Sequence, residues 1–567
     1  MKYYSLSDYP SFATMRELVE FLDTEYKNDT AYTFRVNPHD TEVQKRSFGR
    51  LAYEVRCIGN ALAERGICEG AHCALIGKLT YGWVRAYLAL LSVGAVLVPL
   101  DPEWTAHDLS DTVNKAECKY LFCSDEVFEN KAAEIAAATD AKTVITVDNA
   151  VSELSLDTLF LEGEQQRNDG SYAYESARIS PDALSLLVFT SGTTGQGKGV
   201  MLSQTAILSD ITVVALRIIK TGKRTVGVLP PHHTFGSTVN ILGNLLLGVD
   251  MYISSGIRYL PRELKEHKPE HLIVVPLYLE TFYRRILAGI KDSGKEKVFY
   301  AITKVTDGLA KVGIDMKKAL LKSVRSSFGG ELKFVISGGA PLSSEIADTF
   351  KSLGIDILNG YGITECAPLL SVNLNRYQKA GSVGMPIPNV KIKIKDPNED
   401  GEGEICAKGP NVMLGYFKDE EATKAVIDED GYFCTGDIGK LDDEGWIYIT
   451  GRAKNLIILS NGKNVYPEEI ETELSAVPGV IDVVVYEGIS RRGGEHNAIV
   501  AEIYPDYDFL KKNNVEDKQE YFRKYITEFN RSAVAYKKIS VLKVRETEFP
   551  KNTLRKITRF KIDKSID

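Results

Sequence analysis

Apolar residues near the start of the chain recur with two different periods. In the stretch that ends at Gly66 they lie three or four residues apart, which predicts a helix with one buried face: Phe48, Leu51, Val55, Ile58 and Leu62. The following apolar runs predict a strand at residues 73–76, a helix at 83–92 and a strand at 95–98 that Pro99 closes. Because a strand, a helix and a strand in this order form a β-α-β unit, we expect a parallel sheet.

The alternation of strands and helices continues, and its texture changes twice. Further strands are predicted at residues 143–147, 185–189, 225–229, 271–275 and 332–336. From about Gly381 the pattern becomes short alternating strands divided by Gly, Asp and Pro, which favours a small antiparallel barrel, and after Arg452 it becomes an α+β block. We therefore predict an α/β fold: a large N-terminal domain, residues 1–453, of two α/β subdomains and a small β-barrel, followed by an α+β C-terminal domain, residues 454–567.

Composition and charge narrow the class of protein. The chain has 567 residues, of which 44% are hydrophobic and 26% charged, as in ordinary globular proteins. The formal net charge of −8 argues against a nucleic-acid binder. Only the tail reverses the sign, with eleven Lys or Arg against four Asp or Glu in residues 530–567.

Cysteine usage and the apolar runs bear on location. The eight cysteines include no CxxC pair and no histidine at ligand spacing, which is typical of free thiols in a reducing compartment. The first residues show no basic-then-apolar leader, and the most apolar run, residues 86–100, is shorter than a bilayer crossing and contains Ser92, Gly94 and Pro99. We expect a cytoplasmic protein that does not span a membrane, although peripheral membrane contact stays open.

One glycine-rich segment favours binding of a polyphosphate. A buried strand ends at Thr190, a loop rich in Gly and Thr follows as far as Lys198, and a helix is predicted after Ser203, a good N-cap. We call residues 190–198 the phosphate loop, since its backbone N–H groups, hydroxyls and lysine suit phosphate oxygens. The alternative is that this cluster of Gly and Thr forms only a tight turn and binds no phosphate. A kinase or ATPase loop is disfavoured, because the run GTTGQGK is followed by Gly199 where the Mg²⁺-binding Ser or Thr should stand.

Seven segments in order carry a more specific resemblance. The loop TSGTTGQGKGV, residues 190–200, resembles the signature loop of the acyl-adenylate-forming superfamily, which includes acyl-CoA synthetases, adenylation domains that load carrier proteins, and luciferases. The other family motifs follow in the family's order: LPPHHTFGS (229–237), SGGAPL (337–342), NGYGITECAP (359–368), YFCTGDIG (432–439), GWIYITGRAKNLI with NGKNVYPEEIE (445–471), and FPKNTLRKITR (549–559). The resemblance implies formation of an acyl-adenylate from ATP with Mg²⁺, followed by transfer of the acyl group to a thiol such as that of CoA.

The resemblance also implies the roles of individual residues. Glu365 would ligate Mg²⁺, Tyr361 would stack on adenine, Asp437 and Arg452 would hold the ribose, and Thr364 would contact the α-phosphate. The residues implied in ATP binding are Thr190, Ser191, Gly192, Thr193, Thr194, Gly195, Lys198, Gly339, Ala340, Asn359, Gly360, Tyr361, Gly362, Thr364, Asp437 and Arg452. Taken singly, Asp437 is as well explained by an Asx turn and Arg452 by a surface charge.

Four further residues are implied in catalysis or in domain movement. Lys556 would neutralise charge in the adenylation transition state, and His233 would lie in the segment that closes over the acyl carboxylate. Lys454 stands at the hinge of the mobile C-terminal domain, and Gly462 would line the thiol tunnel. Arg555 replaces the usual Gly before the lysine, and a solvated basic face made of Lys551, Arg555, Lys556 and Arg559 is the competing interpretation.

The acid and the acceptor are predicted by the same comparison. Gly236 supplies no carboxylate for a substrate ammonium, which disfavours amino acids, and Gly362 stands where the acetate-specific branch has a capping Trp. The helical insertion at residues 277–337 resembles that of long-chain fatty acyl-CoA synthetases. We expect a long-chain fatty acid and CoA, with an acyl-carrier protein as the alternative acceptor and a degenerate nucleotide-binding regulator as the non-enzyme alternative.

Overall fold

The computed structural model describes residues 10–149, 152–190, 197–213, 222–292, 321–373, 378–459, 464–489, 498–551 and 557–566. The strands in these ranges are β1 Thr30–Phe34, β2 Gln44–Ser47, β3 His72–Ile76, β4 Val96–Leu100, β5 Tyr120–Cys123, β6 Thr143–Thr146, β7 Leu184–Thr190, β8 Lys198–Ser203, β9 Arg224–Gly227, β10 Asp250–Ile253, β11 His271–Val274, β12 Phe334–Gly338, β13 Asp356–Gly362, β14 Leu369–Val372, β15 Met385–Pro386, β16 Lys391–Lys395, β17 Gly403–Lys408, β18 Gly415–Tyr416, β19 Phe433–Leu441, β20 Ile447–Arg452, β21 Ile457–Ile458, β22 Asn464–Val465, β23 Val480–Gly488, β24 Ala498–Pro505 and β25 Val541–Val544.

Helices separate most of these strands. They are α1 Met15–Glu25, α2 Phe48–Glu64, α3 Tyr81–Ser92, α4 Ala106–Lys115, α5 Asp125–Val127, α6 Ala133–Ala138, α7 Leu156–Asn168, α8 Ala173–Ser176, α9 Gln204–Val213, α10 Gly243–Leu246, α11 Leu260–His267, α12 Pro276–Asp292, α13 Lys322–Arg325, α14 Ser344–Ser352, α15 Glu420–Val426, α16 Pro467–Ser475, α17 Tyr507–Lys512 and α18 Lys518–Ser532. Shorter 3₁₀ turns at Thr364–Cys366 and Ala453–Asn455 and a π-helical segment at Phe235–Leu242 complete the parts used below.

Two mixed sheets form the α/β part of the fold. The first has the order β18-β8-β7-β4-β3-β5-β6, with β7 to β6 parallel and β8 and β18 antiparallel. The second has the order β11-β12-β13-β14-β15 and is parallel from β11 to β13. The predicted α/β fold is thus confirmed, and the β-α-β unit of β3, α3 and β4 lies at the buried centre of the first sheet.

Four smaller sheets are found among the described residues, and the smallest is the two-stranded pair β21-β22. One has the order β2-β1-β10-β9, and another, β23-β24-β25, belongs to the last hundred residues. The region predicted to be a barrel forms an antiparallel sheet in the order β16-β17-β19-β20. Among the described strands no pairing joins β16 to β20, so this unit is an open sheet rather than a closed barrel.

The apolar cores follow this division. One core runs from α1 to Ile447, and a separate one contains Val465, Val485, Ile503 and Phe522. Each α/β sheet is apolar on its buried faces, so it must be covered by helices. The boundary at residues 453 and 454 stays a prediction.

Two local predictions are corrected by the strand pairings. Pro99 does not end β4 but lies inside it, opposite Leu75 of β3. The proline is accommodated because β4 pairs with β7 only at Leu97 and Leu186, so the missing N–H costs no bond on that side. In addition, the segment after the phosphate loop is a strand, β8, before it becomes the helix α9.

Candidate active site

Asp437 lies at the junction of three strands and accepts hydrogen bonds on both carboxylate oxygens. The hydroxyl of Tyr361, on β13, donates to Oδ2 at 2.8 Å, and Nε of Arg452, on β20, donates to Oδ1 at 2.9 Å. Asp437 is 3% exposed and is the register partner of Arg452. The sequence analysis assigned all three residues to the nucleoside, and the structure brings them together. Each carboxylate oxygen keeps capacity for a further donor, as two ribose hydroxyls require.

A second cluster joins Glu365 to the phosphate loop. The hydroxyl of Tyr416, on β18, donates to Oε1 of Glu365 at 2.9 Å. The Nζ atom of Lys198 lies 4.6 Å from the centre of the Tyr416 ring, a cation–π distance. Thr364 precedes Glu365 in the same 3₁₀ turn and is half-buried. The predicted phosphate-binding lysine and the predicted metal ligand therefore both contact one tyrosine, Tyr416.

The two clusters share one electrostatic environment. Burial raises the pKa of Glu365, hydrogen bonds from its backbone N–H and from Tyr416 lower it, and Arg452 lowers while Asp437 raises it. A carboxylate taken out of water is stabilised by a nearby cation. A hard oxygen donor held in a buried cradle fits Mg²⁺, which proteins bind through one or two carboxylates together with phosphate oxygens.

The phosphate loop closes a β-hairpin. Thr190, at the end of β7, is the register partner of Lys198, at the start of β8. Ser203 ends β8, and its side chain accepts a hydrogen bond from the backbone N–H of Ala206 at 3.1 Å, so the predicted N-cap is present. In a kinase-type loop a helix begins directly after the glycines; here a strand intervenes, which is a second reason against that interpretation. Ser191, Gly192, Thr193, Thr194 and Gly195 lie outside the described residues.

The expected adenine edge is formed by neighbouring parallel strands. Asn359 and Gly360 of β13 are opposite Ser337 and Gly338 of β12. Gly339 and Ala340 follow β12 and are exposed, and Gly339 has φ +85°, which favours glycine. Gly362 admits no side chain, because a Cβ atom there would lie 2.0 Å from the carbonyl oxygen of Pro368. A capping Trp could not occupy this position without movement of the backbone.

Residues 229–237, the segment expected to close over the acyl carboxylate, contact both α/β sheets. The rings of His232 and His233 lie 4.3 Å apart, and Nε2 of His232 is 3.5 Å from Oδ2 of Asp101, the residue after β4. Burial lowers the pKa of His232 to about 4, so its ring is neutral at pH 7. The Phe235 ring contacts the position of Gly338, and a Cβ atom on Gly236 would lie 2.0 Å from the carbonyl oxygen of Pro230. There is no room at Gly236 for the carboxylate that an amino-acid substrate needs.

The C-terminal residues predicted to act are only partly described. Lys454 lies in the turn Ala453–Asn455, and burial together with the cation of Arg452 lowers its pKa. Lys556 and Gly462 lie outside the described residues, as does Arg555. The two basic residues flanking Lys556 do not form a solvated face: Lys551 pairs with Asp482 at 2.7 Å, and Arg559 pairs with Glu471.

Lys551 and its partner Asp482 lie near a helix of the large N-terminal part of the fold. Glu280, on α12, is half-buried, and its pKa is raised mainly by burial, lowered by Lys551 and raised by Asp482. Lys551 and Asp482 therefore interact with α12, the helix that follows β11.

Sequence reasoning missed Tyr416, Asp101 and His232. Tyr416 is one aromatic residue in the run GYF, and nothing in its neighbourhood predicts a contact with a residue 51 positions earlier. His232 could have been singled out with His233, since the two form a pair in the sequence. Asp101 follows a buried strand, which is a common position for functional acids in α/β sheets.

The comparisons with known proteins cover most of the chain. A family model described as AMP-binding enzyme matches residues 22–417. The long-chain-fatty-acid–CoA ligase FadD15 of Mycobacterium bovis is 27% identical over 457 residues, 76% of this chain and 74% of that protein. The chloroplastic long-chain-fatty-acid–[acyl-carrier-protein] ligase AEE15 of Arabidopsis thaliana is 26% identical over 530 residues, 81% of this chain and 72% of that protein. ATP-bound MatB from Rhodopseudomonas palustris superposes with a TM-score of 0.73 at 25% identity, covering 96% of this chain and 97% of that one.

Within the described ranges, no helix combines the length and the apolar character that a bilayer crossing needs.

Proposed function

The chain belongs to the AMP-binding enzyme family and is an AMP-forming acid–thiol ligase; on this premise we propose that its acid is a long-chain fatty acid and its thiol that of CoA. The proposal has two half-reactions. In the first, a carboxylate oxygen attacks the α-phosphorus of ATP, the bond to the bridging oxygen breaks, and pyrophosphate leaves. In the second, the sulfur of the thiol attacks the acyl carbon, the thiol loses its proton, and AMP leaves.

The first half-reaction brings anions together, so the chain must supply positive charge and orientation. Lys198 and the hydroxyls of the phosphate loop would hold the outer phosphates, while Asp437 and Arg452 hold the ribose. Glu365 would hold Mg²⁺, which neutralises charge on the phosphates when bound. Tyr416 fixes the side chain of Glu365, and Lys556 would meet the charge that develops between the acid and the α-phosphate.

The second half-reaction needs the same acyl group presented to a different reactant. A turn of the backbone at Lys454 would withdraw Lys556 and bring the segment containing Gly462 towards the site. Arg452, two residues before Lys454, would keep its contact with Asp437 because it belongs to β20.

One observation carries the proposal: Glu365 and Asp437 are buried within a single electrostatic environment and are held by Tyr416 and Tyr361 from strands on either side. Two buried carboxylates of this kind, with Lys198 at the start of β8 on the ring of Tyr416, suit a nucleotide with a metal ion and a sugar. This arrangement favours a working nucleotide site over a degenerate regulator.

The proposed acid rests on two glycines and on the relatives. Gly236 and Gly362 leave no room for the side chains that would select an amino acid or cap a pocket for acetate. FadD15 is named as a long-chain-fatty-acid–CoA ligase. ATP–pyrophosphate exchange with acids of increasing chain length, amino acids and acetate tests the proposal. We expect exchange to be greatest with long-chain fatty acids, and exchange with none of these acids would contradict it.

An acyl-carrier protein is the second candidate acceptor, because AEE15 is named as a ligase for it. The excess of positive charge in residues 530–567 suits either the phosphates of CoA or an acidic carrier protein. Thioester formation with CoA and with a phosphopantetheinylated carrier protein, measured side by side at one ionic strength, separates the two. Product with carrier protein alone would replace CoA in the proposal.

A further inference from the structure

Two cysteines and one glutamate meet on the open antiparallel sheet. Cys406 of β17 and Cys434 of β19 are register partners on adjacent strands. Glu404 lies two residues before Cys406, on the same face of the strand. The two sulfur atoms and a carboxylate oxygen of Glu404 all lie within 4.8 Å of one another.

The surroundings of this group leave it accessible to a small ion. Cys406 is buried, Cys434 is 9% exposed, and Glu404 is half-buried, so the group opens towards solvent on the side of Glu404. Burial, followed by the neighbouring thiol of Cys434, raises the pKa of the Cys406 thiol. Lys393, a cation that lowers the pKa of Cys406, donates to Asp428 at 2.6 Å, so its charge is already balanced.

We propose that Cys406, Cys434 and Glu404 form a binding site for a soft divalent cation such as Zn²⁺. Thiolates select Zn²⁺ and Cd²⁺ over Mg²⁺, which prefers oxygen donors, so this site is chemically distinct from the one expected at Glu365. Zinc binds sulfur at about 2.3 Å, which places two sulfurs in a tetrahedral site about 3.8 Å apart. The observed separations require a contraction on the order of 1 Å at most.

Metal binding displaces the protons of both thiols. Each thiol exchanges its S–H bond for a bond from sulfur to the metal, so binding at neutral pH releases two protons to the buffer while the carboxylate oxygen donates a lone pair. With two sulfurs and one oxygen from the chain, the fourth tetrahedral position is left to water. No electron transfer is involved.

Glu404 allows a sharp test, because it also has a structural role. Its Oε1 atom accepts a hydrogen bond from the backbone N–H of Gly436 at 3.0 Å. The variant Glu404→Gln keeps an amide oxygen for this bond but removes the charge that a cation requires. A second pair of thiols, Cys73 and Cys118, provides the matched control. Both are buried in the core and interact electrostatically with each other, but the described residues place no third ligand beside them.

The experiment titrates the full, reduced, metal-free chain with Cd²⁺ in excess Mg²⁺, following the thiolate-to-metal absorbance in the ultraviolet together with proton release. We expect one equivalent to bind with two protons released, loss of that equivalent in Cys406→Ser and in Cys434→Ser, weaker binding in Glu404→Gln, and no change in Cys73→Ser. A Zn²⁺-dependent rise in the melting temperature of the wild type, absent from Cys434→Ser, is the second measurement. Wild-type stoichiometry in the Cys406→Ser and Cys434→Ser variants, or loss of the band in Cys73→Ser alone, overturns the proposal.

Discussion

The hydroxyl of Tyr416 donates a hydrogen bond to Oε1 of Glu365 at 2.9 Å. Tyr416 is on β18 at the edge of the seven-stranded sheet, whereas Glu365 lies in the turn between β13 and β14 of the five-stranded sheet. The bond therefore ties the expected metal ligand to the sheet that bears the phosphate loop. Movement of one sheet relative to the other would change the position of the carboxylate.

We expect Tyr416→Phe to weaken the response of adenylation to Mg²⁺. A lost hydrogen bond to a charged group is worth about 1.5–3 kcal/mol, so the Mg²⁺ concentration for half-maximal ATP–pyrophosphate exchange should rise about tenfold or more. Because this bond lowers the pKa of Glu365, the acid limb of the pH profile should also move to higher pH. Tyr432→Phe is the control, since Lys393 lies 4.2 Å from that ring in a similar cation–π contact. An unchanged Mg²⁺ response in Tyr416→Phe would contradict the role given to this tyrosine.

Lys556→Ala should abolish adenylation while thioester formation from a supplied acyl-adenylate persists. The expected loss of exchange is about 10²–10³-fold, the usual effect of removing one group that stabilises transition-state charge. The two half-reactions are measured separately, with Lys561→Ala, an exposed lysine of the same tail, as control. Equal loss in both half-reactions would show that the lysine serves some other purpose.

Lys454→Pro should retain ATP–pyrophosphate exchange and lose most thioester formation. Proline fixes φ near −65°, so it prevents the change in backbone dihedrals that a hinge must make. Lys454→Ala, which keeps the backbone free, should retain both activities because its side chain is assigned no contact with either substrate. Normal thioester turnover in a proline variant with an unchanged melting temperature would place the bend elsewhere, and a parallel drop in both activities and in the melting temperature would indicate a folding defect.

Stability should fall in acid partly through His271. Burial lowers the pKa of this ring from 6.5 to about 3, and its Nε2 atom lies 2.8 Å from Oδ1 of Asn244. Below pH 6.5 the unfolded chain therefore takes up a proton that the folded chain does not, and the folded state loses about 2 kcal/mol between pH 8 and pH 5.

The measurement is the free energy of urea unfolding across this pH range. His271→Gln should have lower stability and a shallower acid slope than the wild type, whereas His107→Gln, at an exposed helical position, should not change the slope. Burial raises the pKa of Glu365 and Glu471, so these groups make the free energy of unfolding fall as the pH rises, opposite to His271. The contribution of His271 is therefore the difference between the curves of the wild type and His271→Gln. Parallel curves would mean that His271 does not titrate as proposed.

The sequence predicts what depends on neighbours along the chain and misses what depends on distant contacts. The helix α2 and the strands β3 and β4 follow from local spacing of apolar residues. Strand β8 was missed because residues 197–199 have the composition of a loop, and what makes the segment a strand is pairing with β7, as at Leu187 and Met201. The closed barrel was predicted from strand texture alone, although closure depends on which edges pair.

The same limit applies to the site. Asp437, Arg452 and Glu365 could be placed in the nucleotide site through the resemblance, because the motifs that contain them are contiguous. The contacts that fix them, from Tyr361 and Tyr416, join residues that are 76 and 51 positions apart. The periodicity of the sequence cannot predict a single contact over such a distance, so these two hydrogen bonds are known only from the tertiary structure.

The pairing of β19 with β20 reaches its last rung at Asp437 and Arg452, two residues before Lys454. A pivot at Lys454 moves the residues after it and leaves this rung still. If the ribose binds there, the nucleotide remains bound while the C-terminal residues rotate and present a different face to the site. AMP would then stay bound through both half-reactions and be the last product released. In product-inhibition kinetics, AMP would compete directly with ATP for the free enzyme.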